Sequence, residues 1–304
     1  MNAPPEGPPG RGRVGYLGPA GTFSEEALLT SAAEGQVEPV ALASIYETVM
    51  ELRRGGLDWA IVPIENSLEG SINVTLDLLA GEAADVRIVG EAILRVRHAL
   101  IAAGQTTLEE IDTVISHPQV PGQCTRFLRG ELAHAQIVPA SSTAEAVRIV
   151  AAQGGRSSAA LGTELAAGIY GATILRRGVE DRADNQTRFV WLAREERAGE
   201  APPLRAGENG GWKCSIVFWG TGAEHPGWLV RCLGEFAARE INLTKIESRP
   251  RRTEVGRYMF FADLSGRADE EPVSEALEGL AGLCEHVHVL GSYRAAAALP
   301  VASS

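Results

Sequence analysis

Between Arg13 and Ala193, short apolar runs alternate with stretches of helical periodicity. Val14–Leu17, Trp59–Val62, Thr113–Ile115, Ala159–Leu161 and Phe189–Leu192 are the continuous apolar runs expected of strands buried on both faces. Helices between them are announced by capping boxes, in which a hydroxyl and a later glutamate exchange hydrogen bonds with free backbone amides. Thr22 with Glu25, Ser44 with Glu47, Thr107 with Glu110 and Ser142 with Glu145 fit that pattern. Such alternation predicts an α/β region built on a mainly parallel sheet.

Residues 195–211 (EERAGEAPPLRAGENGG) are poor in apolar side chains and rich in Glu, Gly and Pro, which predicts a linker. Beyond it, strands are expected at 212–219, 241–249, 257–264 and 286–293, with helices at 226–239 and 271–283. That order is a compact βαββαβ module. The expected organisation is a floppy leader at 1–12, an α/β region at 13–194, the linker, the module at 212–293 and a frayed tail at 294–304.

Composition narrows the partners. With 45% apolar and 22% charged residues the chain reads as soluble and globular. Its net charge of −11, with no Lys/Arg run, argues against nucleic acid or an anionic membrane as main partner. No apolar segment reaches the length of a bilayer span. Cys124, Cys214, Cys232 and Cys284 are widely spaced without a metal-ligand pattern, so a reduced, cytoplasmic protein with thiols as core filler is expected.

Four polar clusters fall at predicted strand or helix ends: GPAGTFS at 18–24, PIENSLEGS at 63–71, SHPQ at 116–119 and DNQTRF at 184–189. Crevices open at the carboxyl ends of strands in such sheets, so these clusters are expected to share one cleft. Together with Gln123-Cys124, SSTAEA at 141–146 and INLTKIESRP at 241–250, their order and spacing resemble the monofunctional prephenate dehydratases. The resemblance spans most of the chain. It implies two α/β lobes of the periplasmic-binding-protein type (type II) followed by a ferredoxin-like ACT domain. No helical chorismate mutase segment precedes Arg13, so the fused bifunctional form is not expected.

The implied substrate is prephenate, which loses carbon dioxide and a ring hydroxyl to become phenylpyruvate. Aromatisation drives the reaction, so neither metal nor cofactor is expected. The site must anchor a dianion and hand a proton or hydrogen bond to the departing hydroxyl. By resemblance, Thr187, Glu65, Asn66, Gln123 and Ser116 are catalytic, while Ser24, Thr22, Ser71, Thr143 and Arg188 meet the substrate.

Taken residue by residue, Thr187 is too weak an acid to be the ultimate proton source and reads as a donor or relay; otherwise it merely opens a strand. Glu65, if buried, would carry a raised pKa and share the proton task; if solvated it would not. Thr22 and Ser142 suit helix caps, leaving Ser24 and Thr143 for the ligand. Arg188 either neutralises a carboxylate or pairs with an acid such as Asp184. His117, fixed before a proline, ranks second as an acid. Val120-Pro-Gly122 stands where the family usually reads Ala-Leu-Ala, which loosens the placement of Gln123.

In the module, the resemblance puts phenylalanine, as allosteric effector, near Gly227, Leu229, Asn242, Leu243, Glu247 and Ser248. Trp228 replaces the family's usual alanine, so it either fills space near the ligand or packs on a neighbouring domain. A homodimer or homotetramer is expected. Rival readings are an arogenate dehydratase and a non-catalytic amino-acid-binding sensor.

Overall fold

The computed structural model describes residues 11–205, 210–220, 222, 225–251 and 256–297. The first lobe is built from β1 (Gly12–Leu17), α1 (Phe23–Ser31), β2 (Val37–Leu42), α2 (Ile45–Arg53), β3 (Trp59–Asn66), β4 (Gly70–Ser71), α3 (Asn73–Ala80) and β5 (Val86–Arg95). The chain then crosses to a second lobe made of β6 (Ala99–Ala102), β7 (Thr113–Ser116), α4 (Val120–Gln123), α5 (Thr125–Glu131), β8 (Gln136–Pro139), α6 (Thr143–Gln153), β9 (Ser158–Gly162), α7 (Glu164–Tyr170) and β10 (Thr173–Arg177). It returns through β11 (Gln186–Arg194), which inserts between β3 and β5.

The two sheets run in the order β2-β1-β3-β11-β5 and β10-β6-β9-β7-β8. Both are mixed rather than mainly parallel. Only β1 with β2 and β3, and β7 with β8 and β9, pair in parallel. The returning β11 enters from the second lobe and so runs antiparallel to both neighbours. As an interior strand it buries Phe189, Val190, Trp191, Leu192 and Ala193 completely or nearly so, which is why its sequence is continuously apolar.

Capping behaves as expected at α1, α2 and α6, where Thr22, Ser44 and Ser142 accept hydrogen bonds from Glu25 N, Glu47 N and Glu145 N. The box at Thr107 opens a single 3₁₀ turn, Leu108–Glu110, because β7 begins at Thr113 and leaves no room for a helix. Strands β2, β5, β8 and β10 lie where the apolar pattern is broken or short, while β6 lies in the unbroken apolar run 99–103, which is not among the strands expected from sequence.

The C-terminal module follows the predicted order: β12 (Trp212–Trp219), α8 (Trp228–Ala237), β13 (Leu243–Pro250), β14 (Tyr258–Ser265), α9 (Val273–Ala281) and β15 (His286–Arg294). Its antiparallel sheet runs β13-β14-β12-β15. Alternation along β12 sends Cys214, Ile216 and Phe218 into the core beneath α8 and α9. Val217, together with Met259, Phe261 and Tyr293, joins a core shared with the first lobe. The approach of β15 to β5 is close enough that a Cβ at Gly291 would run into the Ile88 carbonyl.

The flanks are more tied down than their composition predicts. Gly12 already belongs to β1, so the leader ends before it; residues 1–10 lie outside the described residues. The linker is no free tether over its first half. Leu204 packs in the first-lobe core, Ala33 N donates to Pro203 O at 2.8 Å, and Arg205 N donates to Ser31 O at 2.8 Å. In the tail, Ala295 N donates to Gly211 O and Ala296 N to Glu91 Oε1, so its first residues are tied down rather than frayed; 298–304 lie outside the described residues.

All four cysteines are free thiols, three of them buried. Burial pushes Cys124 up to about 12 and Cys214 up to about 11. The native chain should therefore resist alkylation by iodoacetamide at pH 8 and react only after unfolding. Mass spectrometry of the native protein checks this; rapid labelling of Cys124 or Cys214 would contradict the packing.

Candidate active site

A cleft of about 750 Å³ opens between the lobes. The first lobe contributes Gly18, Thr22 and Ser24 from the turn into α1, Asn66 at the end of β3 and Thr187 at the start of β11. Across from them stand His117, Gln123, Ser142 and Thr143. The second lobe also grips the turn after β1: Thr163 Oγ1 donates to Gly21 O at 2.6 Å and Tyr170 OH to Ala20 O at 2.8 Å. Gly21 is needed there, since its φ is +90° and a Cβ would sit 2.8 Å from Ala166 Cα.

The pairing of β3 with β11 decides which residues reach the cleft. Thr187 lies opposite Asn66, and Arg188 lies opposite Glu65. Successive side chains leave a strand on opposite faces, so the two pairs point opposite ways. Asn66 Nδ2 donates to Thr187 Oγ1 at 2.9 Å on the cleft wall. Glu65 instead sits 3.6 Å from Arg188 and 3.3 Å from Lys245 of the C-terminal module, outside the cleft lining.

Arg188 is held away from the cleft as well. It donates to Glu91 at 2.7 Å, Asp263 at 2.6 Å and Tyr293 OH at 2.7 Å, whereas Asp184 pairs with Arg182. Ser71 is turned the same way, donating to Glu247 and accepting from Lys245 at 2.8 Å. Glu65, Arg188 and Ser71 thus stand at the junction with the module, contrary to the expectation that they face substrate. The reason is that both faces of the first-lobe sheet are covered, one by α1 and the other by α2, α3 and the module, and Glu65, Ser71 and Arg188 leave their strands on the module's side.

Ser116 is fully buried, its Oγ donating to the His117 carbonyl at 3.3 Å, and it is not among the residues lining the cleft, contrary to the expectation that it acts on substrate. Thr22 caps α1 and also donates to Leu17 O at 2.8 Å; Ser142 caps α6. Ser24 and Thr143 line the cleft in the first turns of those helices. Pro121 sits in the first turn of α4, whose last residue is Gln123, so the Val-Pro-Gly segment still delivers Gln123 to the cleft.

The electrostatics are unusual for an anion site. No lysine or arginine among the described residues lines the cleft; its titratable side chains are Glu69, His98 and His117. The amino ends of α1 and α6, one from each lobe, open on the cleft, and free N–H groups with the helix dipole at such ends favour carboxylates. Glu69, His98 and Asn185 join a hydrogen-bonded network at the cleft although no sequence motif gives them a role. His98 lies in the run Arg95-Val-Arg-His98, where nothing local marks it; Asn185 was visible inside the DNQTRF stretch but carried no role of its own.

In the module, Gly227 has φ +80° and opens α8 without a side-chain cap. Leu229 and Leu243 pack against the module core, and Asn242 and Ser248 are exposed. Glu247 faces the catalytic lobe, 3.2 Å from Lys245, and is separated from the others by the alternation of β13. Trp228 is buried within the module itself, its ring tilted against Phe218 and Phe260 and its Nε1 donating to Leu283 O at 2.8 Å.

The family model described as prephenate dehydratase matches residues 14–197, well over half of the chain. The chain belongs to the prephenate dehydratase family. The prephenate dehydratase of Mycobacteroides abscessus is 40% identical over 287 residues, covering 92% of this chain and 89% of that one. A structure of the Arthrobacter aurescens prephenate dehydratase in complex with L-Phe is 31% identical, with a TM-score of 0.82 over 96% of this chain and 93% of that chain. A structure described as a novel type of quorum quenching acylase is 28% identical, with a TM-score of 0.79 over 93% and 98%. This dehydratase is a carbon–oxygen lyase that converts prephenate to phenylpyruvate.

Proposed function

We propose that prephenate lies across the cleft with its two carboxylates directed at the amino ends of α1 and α6, and its ring hydroxyl at Thr187. Ser24 and Thr143 supply uncharged donors beside those ends, and Asn66 and Gln123 contact the ring substituents. Uncharged donors suit this chemistry: a lysine or arginine clamped on the departing carboxylate would stabilise the ground state and oppose its loss as carbon dioxide. Apolar Phe23, Val96 and Val120 along the lining keep water from that group. The observation that carries the reading is the Asn66–Thr187 hydrogen bond on the wall of a cleft whose lining holds no Lys or Arg among the described residues.

The C-terminal module acts as an ACT domain and binds phenylalanine near Gly227, Asn242 and Ser248, the three members of the expected effector set that have neither core packing nor an interdomain contact. Its edge strand β13, with Ile246 about half exposed at 49%, is the surface for a second copy, giving a homodimer or homotetramer. Four free thiols suit a reducing cytoplasm. Turnover of prephenate and arogenate, each with and without phenylalanine, tests the reading. The expected result is phenylpyruvate from prephenate, slowed by phenylalanine; a rate equal to spontaneous decay would sink it.

A further inference from the structure

The cleft wall contains a chain of side-chain amides whose polarity can be worked out from one end. Leu68 N and Glu69 N both donate to Asn66 Oδ1, at 2.9 and 3.0 Å. Backbone N–H groups are donors without ambiguity, so that atom is the oxygen and the other end of Asn66 carries the two amide protons. The two shortest contacts of that nitrogen are to Thr187 Oγ1 and Asn185 Oδ1, each at 2.9 Å, with the Gln186 carbonyl a longer third acceptor at 3.2 Å. Ser67 Oγ, which accepts from Gln186 N at 3.0 Å, has its own proton left for Asn185 Oδ1 at 3.3 Å.

The orientation then propagates. With its oxygen turned to Asn66, Asn185 must direct Nδ2 at Gln123 Oε1, at 3.3 Å. Gln123 consequently turns Nε2 toward Glu69, at 3.3 Å. His98 Nε2 lies 3.1 Å from the same Gln123 oxygen and so carries the ring proton. His98 Nδ1 is buried and has no partner among the described residues, which suits the neutral tautomer with a bare Nδ1. Burial, only partly offset by Gln123 and Glu180, holds the His98 pKa below its ordinary value. The ring is fixed edge-on against Phe23 at 5.4 Å, and Glu180 accepts from its backbone N–H at 2.9 Å.

At the other end, Thr187 Oγ1 accepts a proton from Asn66, and no acceptor among the described residues is assigned to its own proton. We propose that Asn185 and His98 are positioning residues: the backbone N–H groups of Leu68 and Glu69 set the polarity of Asn66, and Asn185, with His98 behind it through Gln123, steadies that amide so that Thr187 is left a hydrogen-bond donor to the leaving hydroxyl. A reversed Asn66 would turn its oxygen to Thr187 and take up the proton needed as the C–O bond breaks. Asn185 also ties the first-lobe strand to Gln123 of the second lobe, so the orientation is completed only when the lobes meet. This inference rests on the reading of Thr187 given above.

The full-length chain with prephenate tests it through Asn185→Asp, which can still accept from Asn66 and Ser67 but, ionised, cannot donate to Gln123. His98→Leu removes the N–H while keeping apolar packing on Phe23, and His98→Gln restores an N–H of similar reach. Asn185→Asp and His98→Leu should each lower kcat about tenfold or more with KM changed less than about threefold, and His98→Gln should recover most of the loss. Combined with Thr187→Val, Asn185→Asp should cost clearly less in kcat than it does alone, because no hydroxyl remains to orient and only the placement of Gln123 is left to disturb.

Wild-type rates in both single variants, or losses that add fully to that of Thr187→Val, would overturn the positioning role while leaving the dehydratase reading intact. A wild-type chain without turnover would sink the reading itself. Should Asn185→Asp melt below the assay temperature, the Leu and Gln variants of His98 decide.

Discussion

Thr187→Val is expected to lower kcat for prephenate by about 10²- to 10³-fold, the scale seen when one donor aimed at developing charge is removed. Valine keeps the shape and the β-branched preference for strand, so β11 should pair as before. KM should stay within about threefold, since the hydroxyl acts on the leaving group rather than on the anchored carboxylates. A modest stability loss of about 1–3 kcal/mol should accompany it, because Asn66 Nδ2 loses a buried acceptor. Thr187→Ser, which keeps the hydroxyl, should recover most of the rate. Steady-state kinetics with a thermal melt check both parts; a valine variant with kcat within threefold of wild type would show that the hydroxyl has no part in the step.

Arg188→Leu should cost stability first, by about 3–5 kcal/mol, the range for breaking a buried ion pair from one side. The side chains of Glu91 and Asp263 are 2% and 7% exposed, so both carboxylates depend on partners within the protein. Lys213 remains for Glu91 at 2.9 Å, whereas among the described residues Asp263 keeps the side-chain bond from Ser215 Oγ at 2.5 Å but no cation. Burial alone lowers the Arg188 pKa, and the facing Tyr293, Asp263 and Glu91 more than reverse it, so the guanidinium stays charged. Because Arg188 is the neighbour of Thr187 on β11 and bonds to β14 and β15 of the module, the variant should also weaken any response of turnover to phenylalanine. Urea unfolding measures the first effect and inhibition curves the second. A loss under 1 kcal/mol with an unchanged response would mean that the cluster neither holds the module nor couples it to the cleft.

Much of this was legible along the chain because the relevant signals are local. Apolar runs and capping hydroxyls marked β1, β3, β11, α1, α2 and α6, and the module's six elements fell close to their predicted bounds. Thr187, Asn66, Gln123, Ser24, Thr22 and Thr143 all reach the cleft. They sit at strand ends and helix starts, where a polar residue beside an apolar run has few places to go but a crevice.

What sequence alone determined is therefore the set of elements, the helix caps and the polar residues available to one cleft, since each depends on neighbours within a turn or a strand. Alternation also required Glu65 and Asn66, like Thr187 and Arg188, to face opposite ways. It left open which face was the cleft, because a strand covered on both sides shows no polar side. The docking of residues 212–294 settled that, through bonds such as Arg188 to Asp263 and Tyr293 that join positions 75 and 105 residues apart. The same distant packing set His98 beside Gln123 and turned Glu247 and Ser71 toward each other, and no periodicity within one segment encodes a neighbour that arrives from another.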